Sequence, residues 1–378
     1  MQNSAYCTAI SIFLLLGLGA AAFTAGHAEP IIITHACTDT SAIPKEWIDT
    51  AQSVVKMHYA HTSHGGQLTT GLSRIESGDA TYSVAIGYSS LPTEAGALCV
   101  FDGQEHDTYI TPDEYWETEA GLNYTRSVLD NNPSVNVSMW SWCTQLTSYS
   151  QAQCQAYIDA VSILEAEYPA VRFVYMTCNA QATGSSGYNR YINNGMIRQH
   201  CYDNDRVLFD FADLDAWWYN PSGGWEFSSY EYSGADVLLE HPQFNGDQAG
   251  HTTYASCEQK GKAVWWLVAR LAGWPGSGAG VGTGSRHDAL LSAHPNPFSG
   301  ATTITYAGPR AGKGDVKIFD VAGRCVRNFG EAYAGAGSST AVWDGRDDAG
   351  RLVEAGVYFL SLTSENQVEN VEKLVVLR

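Results

Sequence analysis

The sequence predicts an α/β fold built on a largely parallel sheet, followed by a small β-sandwich. As far as residue 274, strand-like apolar runs alternate with helix-like segments, which is typical of a parallel sheet covered by helices on both faces. Beyond a stretch rich in Gly and Ser, only short strand-like runs divided by Gly and Asp turns remain. We therefore expect an α/β domain over 29–274, a linker over 275–287 and a β-sandwich over 288–378.

The predicted elements of the first domain follow in chain order. Strands are expected over residues 54–60, 135–140, 171–176 and 206–211, and helices over residues 67–75, 151–168, 191–202 and 256–271. The passage over about 80–125, rich in Tyr, Pro and Gly, is expected to be irregular. Since parallel strands end at one edge of a sheet, the polar residues that follow them should gather there. Those residues are Ser63, Ser141, Asn179 and Asp213.

The second domain shows strand-like runs and no helical pattern. The runs lie over residues 316–320, 321–324, 357–362 and 373–377. The domain contains no cluster of catalytic residue types. Attachment or targeting is therefore its expected role.

Charge and composition exclude some classes of partner. The 378-residue chain carries a net charge of −19, so nucleic acid and anionic membrane surfaces would repel it, and neither is expected as a partner. Charged residues make up only 16%, whereas there are 21 Tyr and 11 Trp. This balance is typical of extracellular proteins that handle neutral sugars or apolar esters.

The first 28 residues predict an export signal. An apolar run over 9–25 is followed by Gly26 and Ala28, the small residues that a signal peptidase needs, so cleavage is expected before Glu29. No later segment is long and apolar enough for a membrane span. We expect an exported chain without a membrane span after cleavage.

The cysteines predict disulfide bonds. Removal of the signal would take Cys7 and leave an even number, which in an exported protein favours disulfides. The eight are Cys37, Cys99, Cys143, Cys154, Cys178, Cys201, Cys257 and Cys325. The closeness of Cys143 and Cys154 in sequence favours a local bridge between them, and the other pairings stay open.

Ser63 is the candidate nucleophile. It lies where an apolar strand turns into a helix, which exposes a hydroxyl beside free backbone N–H groups. His251, in a loop ahead of the last helix of the domain, is the candidate base, and Asp247 could orient its imidazole. The Ser63 N–H and the Asn179 amide would supply the oxyanion site.

Each of these residues also has a structural interpretation. Ser63 could be an N-cap, Asn179 a turn residue and His251 a surface histidine. The appearance of Ser, Asn and His together in this order is what favours hydrolysis.

The histidines around Ser63 suggest a second interpretation. His58, His61 and His64 are spaced three apart, which suits a metal on a helix, but on a strand His58 and His61 point to opposite faces. No metal and no cofactor are expected. His64, beside Ser63, could instead act as a local base or an additional donor.

A third interpretation is carbohydrate binding without catalysis. Aromatic side chains that could stack on sugar rings are Trp140, Trp142, Trp217, Trp218, Tyr219 and Trp225. By contrast, Trp265 and Trp266 lie in an apolar helical run and are expected in the core.

The large domain resembles the secreted SGNH (GDSL-like) hydrolases over residues 31–274. Five groups of residues carry the resemblance. They are His35-Ala-Cys-Thr-Asp with Ile43-Pro-Lys-Glu-Trp47, Tyr59-Ala-His-Thr-Ser-His-Gly65, Ser138-Met-Trp-Ser-Trp-Cys143, Leu208-Phe-Asp-Phe-Ala-Asp-Leu214, and Cys257 with Lys262-Ala-Val-Trp-Trp. It implies a three-layer α/β/α fold, a Ser nucleophile after the first strand, a Gly and an Asn at the oxyanion hole, and a His in an Asp-x-x-His motif.

By that resemblance, Ser63, Asn179 and His251 would take the family's catalytic roles. The chain departs from the pattern at three places, the first being that no Gly for the second oxyanion donor is evident near residues 141–144. Thr62-Ser63-His64 stands where the family has Gly-Asp-Ser-Leu, and Gln248 stands three residues before His251 where the family has Asp. Asp247 or a backbone carbonyl would then orient the histidine.

The small domain resembles the C-terminal sorting domain of the type IX secretion system, a sandwich related to the Ig-like domain of flagellar hook-cap proteins. The motifs are Pro295-Asn-Pro-Phe298, Phe319-Asp-Val-Ala-Gly-Arg324, Trp343-Asp-Gly345, Ala355-Gly-Val-Tyr-Phe359 and Lys373-Leu-Val-Val-Leu377. The resemblance implies the type IX machinery as a partner, and an extracellular or outer-membrane-surface location on a Gram-negative-type bacterium.

The function expected from the sequence is hydrolysis of an ester on extracellular carbohydrate, through an acyl-Ser63 intermediate. The alternative is a catalytically inactive glycan-binding or surface-structure protein on the same fold. The two differ in whether Ser63 and His251 come within hydrogen-bonding reach.

Overall fold

The computed structural model describes residues 30–276, 290–307, 312–320, 323–334, 339–364 and 367–377. The expected signal peptide at 1–28, and residues 277–287 of the expected linker, lie outside the described residues. Within the described ranges, no helix has both the length and the apolar character that a membrane crossing needs.

The first part of the chain alternates strands and helices. Its strands are β1 (Ile31–Ile33), β2 (Lys56–His61), β3 (Val84–Gly87), β4 (Leu98–Asp102), β5 (Val137–Ser141), β6 (Arg172–Met176), β7 (Val207–Phe209), β8 (Trp217–Asn220), β9 (Gly224–Phe227), β10 (Ser229–Tyr232) and β11 (Ala235–Leu238). Its helices are α1 (Lys45–Val54), α2 (Gly66–Gly78), α3 (Pro112–Tyr115), α4 (Glu119–Asn131), α5 (Gln151–Glu167), α6 (Gly184–Asp203), α7 (Phe211–Ala216) and α8 (Tyr254–Leu271).

Seven of these strands form one sheet in the order β1-β7-β6-β5-β2-β4-β3. Every pairing in this sheet is parallel. The predicted α/β region with a largely parallel sheet is therefore confirmed. The strands are buried on both faces, which explains why they read as continuous apolar runs in the sequence.

The order in which the chain adds strands to the sheet reverses between β2 and β5. From β2 the chain runs by way of α2 to β3 and β4 on one side, and from β5 it runs by way of α5 to β6 on the other. Right-handed crossovers in opposite directions put α2 and α5 on opposite faces of the sheet. Between two such strands the carboxyl edge opens into a crevice, which is where open α/β sheets bind ligands.

The helices α2 and α8 cross at close range because each has a glycine at the contact. A Cβ atom on Gly71 would lie 1.9 Å from the carbonyl oxygen of Cys257, and one on Gly261 would lie 2.6 Å from the backbone of Gly71. Only glycine permits this approach. It holds α8, which carries the buried Trp265 and Trp266, tightly against α2, and the expectation that these two residues belong to the core is confirmed.

Two sequence expectations about this region are wrong. The passage over 80–125 is not irregular, since it contains β3, β4, α3 and α4. Its strands are short and its helices begin at turn residues, so Pro and Gly mark boundaries there rather than disorder. In addition, Trp140 and Trp142 are each 1% exposed and belong to the core, so they are no sugar platform.

The expected disulfides are absent. All eight cysteines from Cys37 to Cys325 are free thiols. The two cysteines of the suggested local pair lie in different surroundings. Cys154 is buried and its thiol donates to the Asn193 carbonyl oxygen, whereas Cys143 faces polar side chains at the sheet edge. The disulfide prediction is therefore wrong for this structure, since several of these thiols pack as small apolar groups.

The C-terminal part of the chain is built from antiparallel strands. They are β12 (Leu290–His294), β13 (Thr302–Ala307), β14 (Gly312–Asp320), β15 (Cys325–Ala334), β16 (Ser339–Trp343), β17 (Gly356–Ser364) and β18 (Gln367–Val376). One sheet has the order β12-β13-β16 and the other β15-β14-β17-β18. A separate apolar core, centred on Trp343, Ile318 and Leu360, fills this region, which confirms the expected β-rich second region.

Candidate active site

Cys143 is the centre of a cluster of polar side chains at the carboxyl edge of the sheet. It follows the end of β5, beside the turn that follows β2, so it lies where the strand order of the sheet reverses. Its Sγ atom is 3.0 Å from His64 Nδ1 and 3.3 Å from Ser63 Oγ. The thiol is partly accessible, whereas His64 is buried.

The sulfur also faces the start of a helix. A 3₁₀ turn over Ser63–Gly65 runs directly into α2, and the backbone N–H of His64 donates a hydrogen bond to Cys143. Unpaired N–H groups and the dipole at a helix N-terminus stabilise a negative charge. The strand-to-helix turn therefore offers the sulfur the environment that favours a thiolate.

The ionisation of the two partners follows from this geometry. Burial opposes the thiolate, but the hydrogen bonds from His64 and Ser63 and the nearby imidazole outweigh it and lower the pKa of Cys143 from 9.0 to about 7. Burial likewise opposes the imidazolium, but the contacts with Cys143 and Gln181 raise the pKa of His64. Both shifts favour a thiolate–imidazolium pair.

Gln181 orients the imidazole from its other side. His64 Nε2 is 2.8 Å from Gln181 Oε1. The amide nitrogen of Gln181 donates to the backbone oxygen of His251 at 2.8 Å and to Glu240 Oε2 at 3.2 Å. Cys143, His64 and Gln181 thus form a row, in the order that a nucleophile, its base and the group that orients the base take in hydrolases.

Asn179 ties the loop of Cys143 to the loop of Gln181. It is 1% exposed, its Nδ2 atom donates to the backbone oxygen of Cys143, and its Oδ1 atom accepts from the Gln181 N–H at 3.2 Å. The side-chain amide expected to hold an oxyanion is thus engaged with the backbone in this structure.

The other residues expected at the site lie around this row. Ser63 Oγ is hydrogen-bonded to the Cys143 sulfur, and no hydrogen bond joins it to His251 among the described contacts. His251 is exposed, with its ring centroid 4.9 Å from that of His64. Its Nδ1 atom lies 3.6 Å from Asp247 Oδ1, and the Asp247 side chain is 86% exposed.

The loop that carries His251 has a strained backbone and packs on the turn that carries Ser63. Gly250 and His251 have φ angles of 53° and 65°, in the left-handed region. A Cβ atom on Gly250 would lie 3.0 Å from the Ser63 carbonyl oxygen, and the Gln67 amide donates to the Gly250 oxygen at 2.6 Å. These contacts fix the loop beside His64.

Sequence reasoning missed Cys143 and Gln181 as site residues. The signal for Cys143 was its position directly after a buried strand, at the same sheet edge as Ser63, but its cysteine type led to the disulfide interpretation. Gln181 follows Asn179 by two residues and shares its loop. An amide gives no pKa or spacing signal by itself.

A buried ion pair is hydrogen-bonded to the loop that carries Asn179 and Gln181. Lys260 Nζ and Asp215 Oδ1 are 2.7 Å apart, with side chains 0% and 1% exposed, and Asp215 Oδ2 accepts from the Ala180 N–H at 2.8 Å. Burial and the charge of Asp215 raise the pKa of Glu240 to about 7.

The antiparallel pair of β8 and β9, which follows β7 and α7, forms a ribbon rich in aromatic side chains. Asp213 accepts hydrogen bonds from the backbone and the ring of His35, and the ring of His35 stacks on Trp217 at 4.4 Å. Register pairs Trp217 with Phe227 and Tyr219 with Trp225, so these four side chains share one face of the β8–β9 ribbon. Tyr219 is 54% exposed, Phe227 39% and Trp225 36%.

The three spaced histidines have separate partners. His58 contacts Ser138 at 3.0 Å inside the sheet, whereas His61 Nε2 lies 2.8 Å from Asp102 Oδ1. In the part of the chain that the structure describes, no group of three or more His, Cys, Asp or Glu side chains could hold a metal ion.

Comparisons with known proteins bear on the C-terminal region. Residues 297–367 match the family model described as the FlgD Ig-like domain. No curated protein matches the chain.

Similar solved structures include dimeric latent PorU from Porphyromonas gingivalis (22% identity, 24% of this chain and 9% of that chain, TM-score 0.21) and FlgD from P. aeruginosa (20% identity, 24% and 62%, TM-score 0.15). An endo-β-1,4-mannanase double mutant from Cellulomonas fimi is 14% identical over 66% of this chain and 50% of that chain, with a TM-score of 0.19. This chain thus covers less than two thirds of each of these chains, and at such TM-scores the likenesses carry no argument. Residues 297–367 form an Ig-like domain of the FlgD type.

Proposed function

We propose that the α/β region is an acyl hydrolase that cleaves esters with Cys143 as its nucleophile. The observation that carries this proposal is the contact of 3.0 Å between Cys143 Sγ and His64 Nδ1, in front of a helix N-terminus. A thiol whose pKa is about 7 is substantially ionised at neutral pH, whereas a serine hydroxyl is not. Cys143 therefore replaces Ser63 as the proposed nucleophile.

The proposed reaction has two halves. The Cys143 thiolate attacks the acyl carbon, a C–S bond forms, and the carbonyl electron pair moves onto oxygen. Collapse of this intermediate breaks the ester C–O bond, and the His64 imidazolium gives its proton to the departing alcohol. Neutral His64 then takes a proton from water, the hydroxide attacks the thioester, and the acid leaves while the Cys143 thiolate and the imidazolium are restored.

Ser63 has a supporting role in this mechanism. Its hydroxyl lies 3.3 Å from the sulfur, so a carbonyl oxygen on an attacked carbon would come within its reach. A donor at this position stabilises the developing oxyanion. The backbone N–H of Ser63, at the same helix start, is the second candidate donor.

We propose that the ester is carried by carbohydrate. The support is the ribbon face formed by Trp217, Tyr219, Trp225 and Phe227, which leaves three aromatic side chains partly exposed. Flat aromatic faces with polar edges suit the apolar faces of sugar rings. A fold of the SGNH type is part of this proposal and is supported by the parallel sheet and by the polar residues at its carboxyl edge.

We also propose that the chain acts outside the cell. The support comes from the apolar N-terminal run and from the C-terminal motifs around Pro295 and Trp343, which resemble a type IX sorting domain. The type IX machinery is then the proposed partner of the C-terminal domain.

The test is turnover of p-nitrophenyl acetate by the full chain from residue 29, beside Cys143→Ser, His64→Asn, Ser63→Ala and His251→Ala. Loss of turnover in the first two variants, with partial activity in Ser63→Ala, supports the thiol mechanism. If Ser63→Ala and His251→Ala are silent while Cys143→Ser keeps its rate, the nucleophile is Ser63. A folded wild type that turns over neither this ester nor acetylated polysaccharide leaves the inactive glycan-binding alternative.

A further inference from the structure

Glu240 is a buried carboxylate that lies one side chain beyond the row of Cys143, His64 and Gln181. It is 7% exposed and contacts the amide nitrogen of Gln181 through Oε2. Nothing in the proposed chemistry uses this group directly. From its position next to Gln181, Glu240 can act on His64 without contacting it.

The two hydrogens of the Gln181 amide are both engaged. One points to the His251 carbonyl oxygen and the other to Glu240 Oε2. Because an amide has a donor end and an acceptor end, this fixes Oε1 toward His64. An acceptor there requires a proton on His64 Nε2, and neutral His64 must then present an unprotonated Nδ1 to the sulfur.

The carboxylate itself is held in place from two sides. Its other oxygen, Oε1, lies 2.9 Å from the Thr252 hydroxyl, and its backbone N–H donates to the Ala180 oxygen at 2.9 Å. The charged groups that act on it are Asp215, which opposes its ionisation, and Lys260, which favours it. The titratable groups beside His64 are Cys143 and the ring of His251, and the charge of Asp215 also acts on it.

We infer that Glu240 is a positioning residue that sets the tautomer and the charge of His64 by way of Gln181. The inference rests on the proposed function, since it takes Cys143 and His64 as the reacting pair. By accepting from the Gln181 amide, Glu240 fixes the amide oxygen toward His64, and that oxygen favours a positive charge on the imidazole, and through it the thiolate. Loss of this carboxylate weakens the pair without touching either member.

The test follows the thiolate and needs no substrate. The full chain from residue 29 is alkylated with iodoacetamide across a pH series, and modification of the Cys143 peptide is measured by mass spectrometry. Glu240→Gln should move the alkylation midpoint of Cys143 upward by roughly one pH unit, because a neutral amide is a weaker acceptor than a carboxylate and holds the Gln181 oxygen toward the imidazole less firmly. The exposed Cys325 of the same chain is an internal reference whose midpoint should stay constant.

A double-mutant cycle separates positioning from a general structural effect. In a Gln181→Ala background, Glu240→Gln should cause no further shift, because the link to His64 is already gone. Glu258→Gln is the matched control, since Glu258 is a carboxylate paired with Arg74 on the surface and should leave the midpoint unchanged. Thermal melting verifies folding. If Glu240→Gln does not fold, Glu240→Asp, which shortens the reach to Gln181, replaces it with the same expected direction.

The outcomes separate this inference from the proposed function. An unchanged midpoint in folded Glu240→Gln, or shifts that add in the double variant, overturns the positioning role. If ester turnover is absent but the midpoint moves as expected, the proposed function fails while the link from Glu240 to His64 stands. If turnover depends on Cys143 and the midpoint does not move, the proposed function stands and the positioning role fails.

Discussion

The Nδ1 atom of His64 lies 3.0 Å from the Sγ atom of Cys143, although the two residues are 79 positions apart in the sequence. Each follows a strand of the sheet, and those two strands, β2 and β5, are hydrogen-bonded neighbours. The contact therefore depends on the long-range pairing at the centre of the sheet rather than on a local motif. It gives the α/β region a chemistry that can be tested residue by residue.

Replacement of the sulfur should have a larger effect than replacement of the neighbouring hydroxyl. We expect Cys143→Ala to abolish ester turnover, and Ser63→Ala to lower kcat by roughly a hundredfold to a thousandfold, as for loss of one oxyanion donor. Steady-state kinetics with p-nitrophenyl acetate measure both effects. Equal loss in the two variants would argue against separate roles for sulfur and hydroxyl.

The reactivity of Cys143 should depend on pH through His64. With its pKa lowered to about 7, Cys143 is a thiolate above that pH, so its alkylation rate should rise through pH 7 and level off well below pH 9.0. His64→Asn removes the side-chain partner and should move this rise toward pH 9.0. The measurement is the rate at which iodoacetamide labels the Cys143 peptide at each pH, compared between the wild type and His64→Asn. A midpoint that is the same in both proteins would contradict the assigned ion pair.

Glu240 should make the stability of the fold depend on pH. Because its pKa is raised in the folded state, to about 7 from 4.5, it contributes stability that is fully present below pH 4.5 and is lost as the pH rises through about 7. Glu240→Gln should remove this contribution, so the variant's Tm should fall less than that of the wild type over this interval. Calorimetry or circular dichroism at several pH values provides the measurement. Glu258→Gln, on the surface, should behave like the wild type.

The crossing of α2 and α8 should not tolerate a methyl group. Gly71→Ala would push a Cβ atom into the Cys257 carbonyl, and we expect it to lower the free energy of unfolding by roughly 1–3 kcal/mol or more. Gly78→Ala, in the same helix, meets no atom within 4 Å and is the matched control. Urea denaturation of both variants tests the difference. Similar midpoints would show that the helices can move apart at little cost.

The aromatic ribbon should affect binding of a polymeric substrate but not the chemical step. Trp225→Ala, on the exposed face, should weaken binding to a polysaccharide by about fivefold, in line with roughly 1 kcal/mol for a stacked aromatic. It should leave turnover of p-nitrophenyl acetate unchanged. Affinity electrophoresis in polysaccharide gels measures the first effect. Val54→Ala, which removes another exposed apolar side chain, is a control.

Much of the sheet could be predicted from the sequence because the pattern of its apolar runs is set by burial on both faces. The strands around Met57, Met139 and Val174 were expected close to where they lie, as was the turn at Ser63. Strands β3 and β4 were missed, since they are short and lie among Pro and Gly residues. Local composition there reports the turns and hides the strands between them.

The candidate site was predicted only in its location. Ser63 and Asn179 do lie at the carboxyl edge and both contact Cys143, and His251 lies beside His64. Which of these groups touch depends on side-chain directions that spacing does not encode. The export context also directed Cys143 to a disulfide, and only the fold shows that its neighbour is an imidazole.

The register of β2 against β5, with His61 opposite Ser141, has a practical consequence for studies of folding. Because this register alone brings sulfur and imidazole together, rapid alkylation of Cys143 at neutral pH is an intrinsic signal that the middle of the sheet is assembled. The signal should vanish when the central strands separate, even if the helices persist. The chain thus contains its own chemical reporter for sheet formation, readable by mass spectrometry without introducing a new residue or a fluorescent probe.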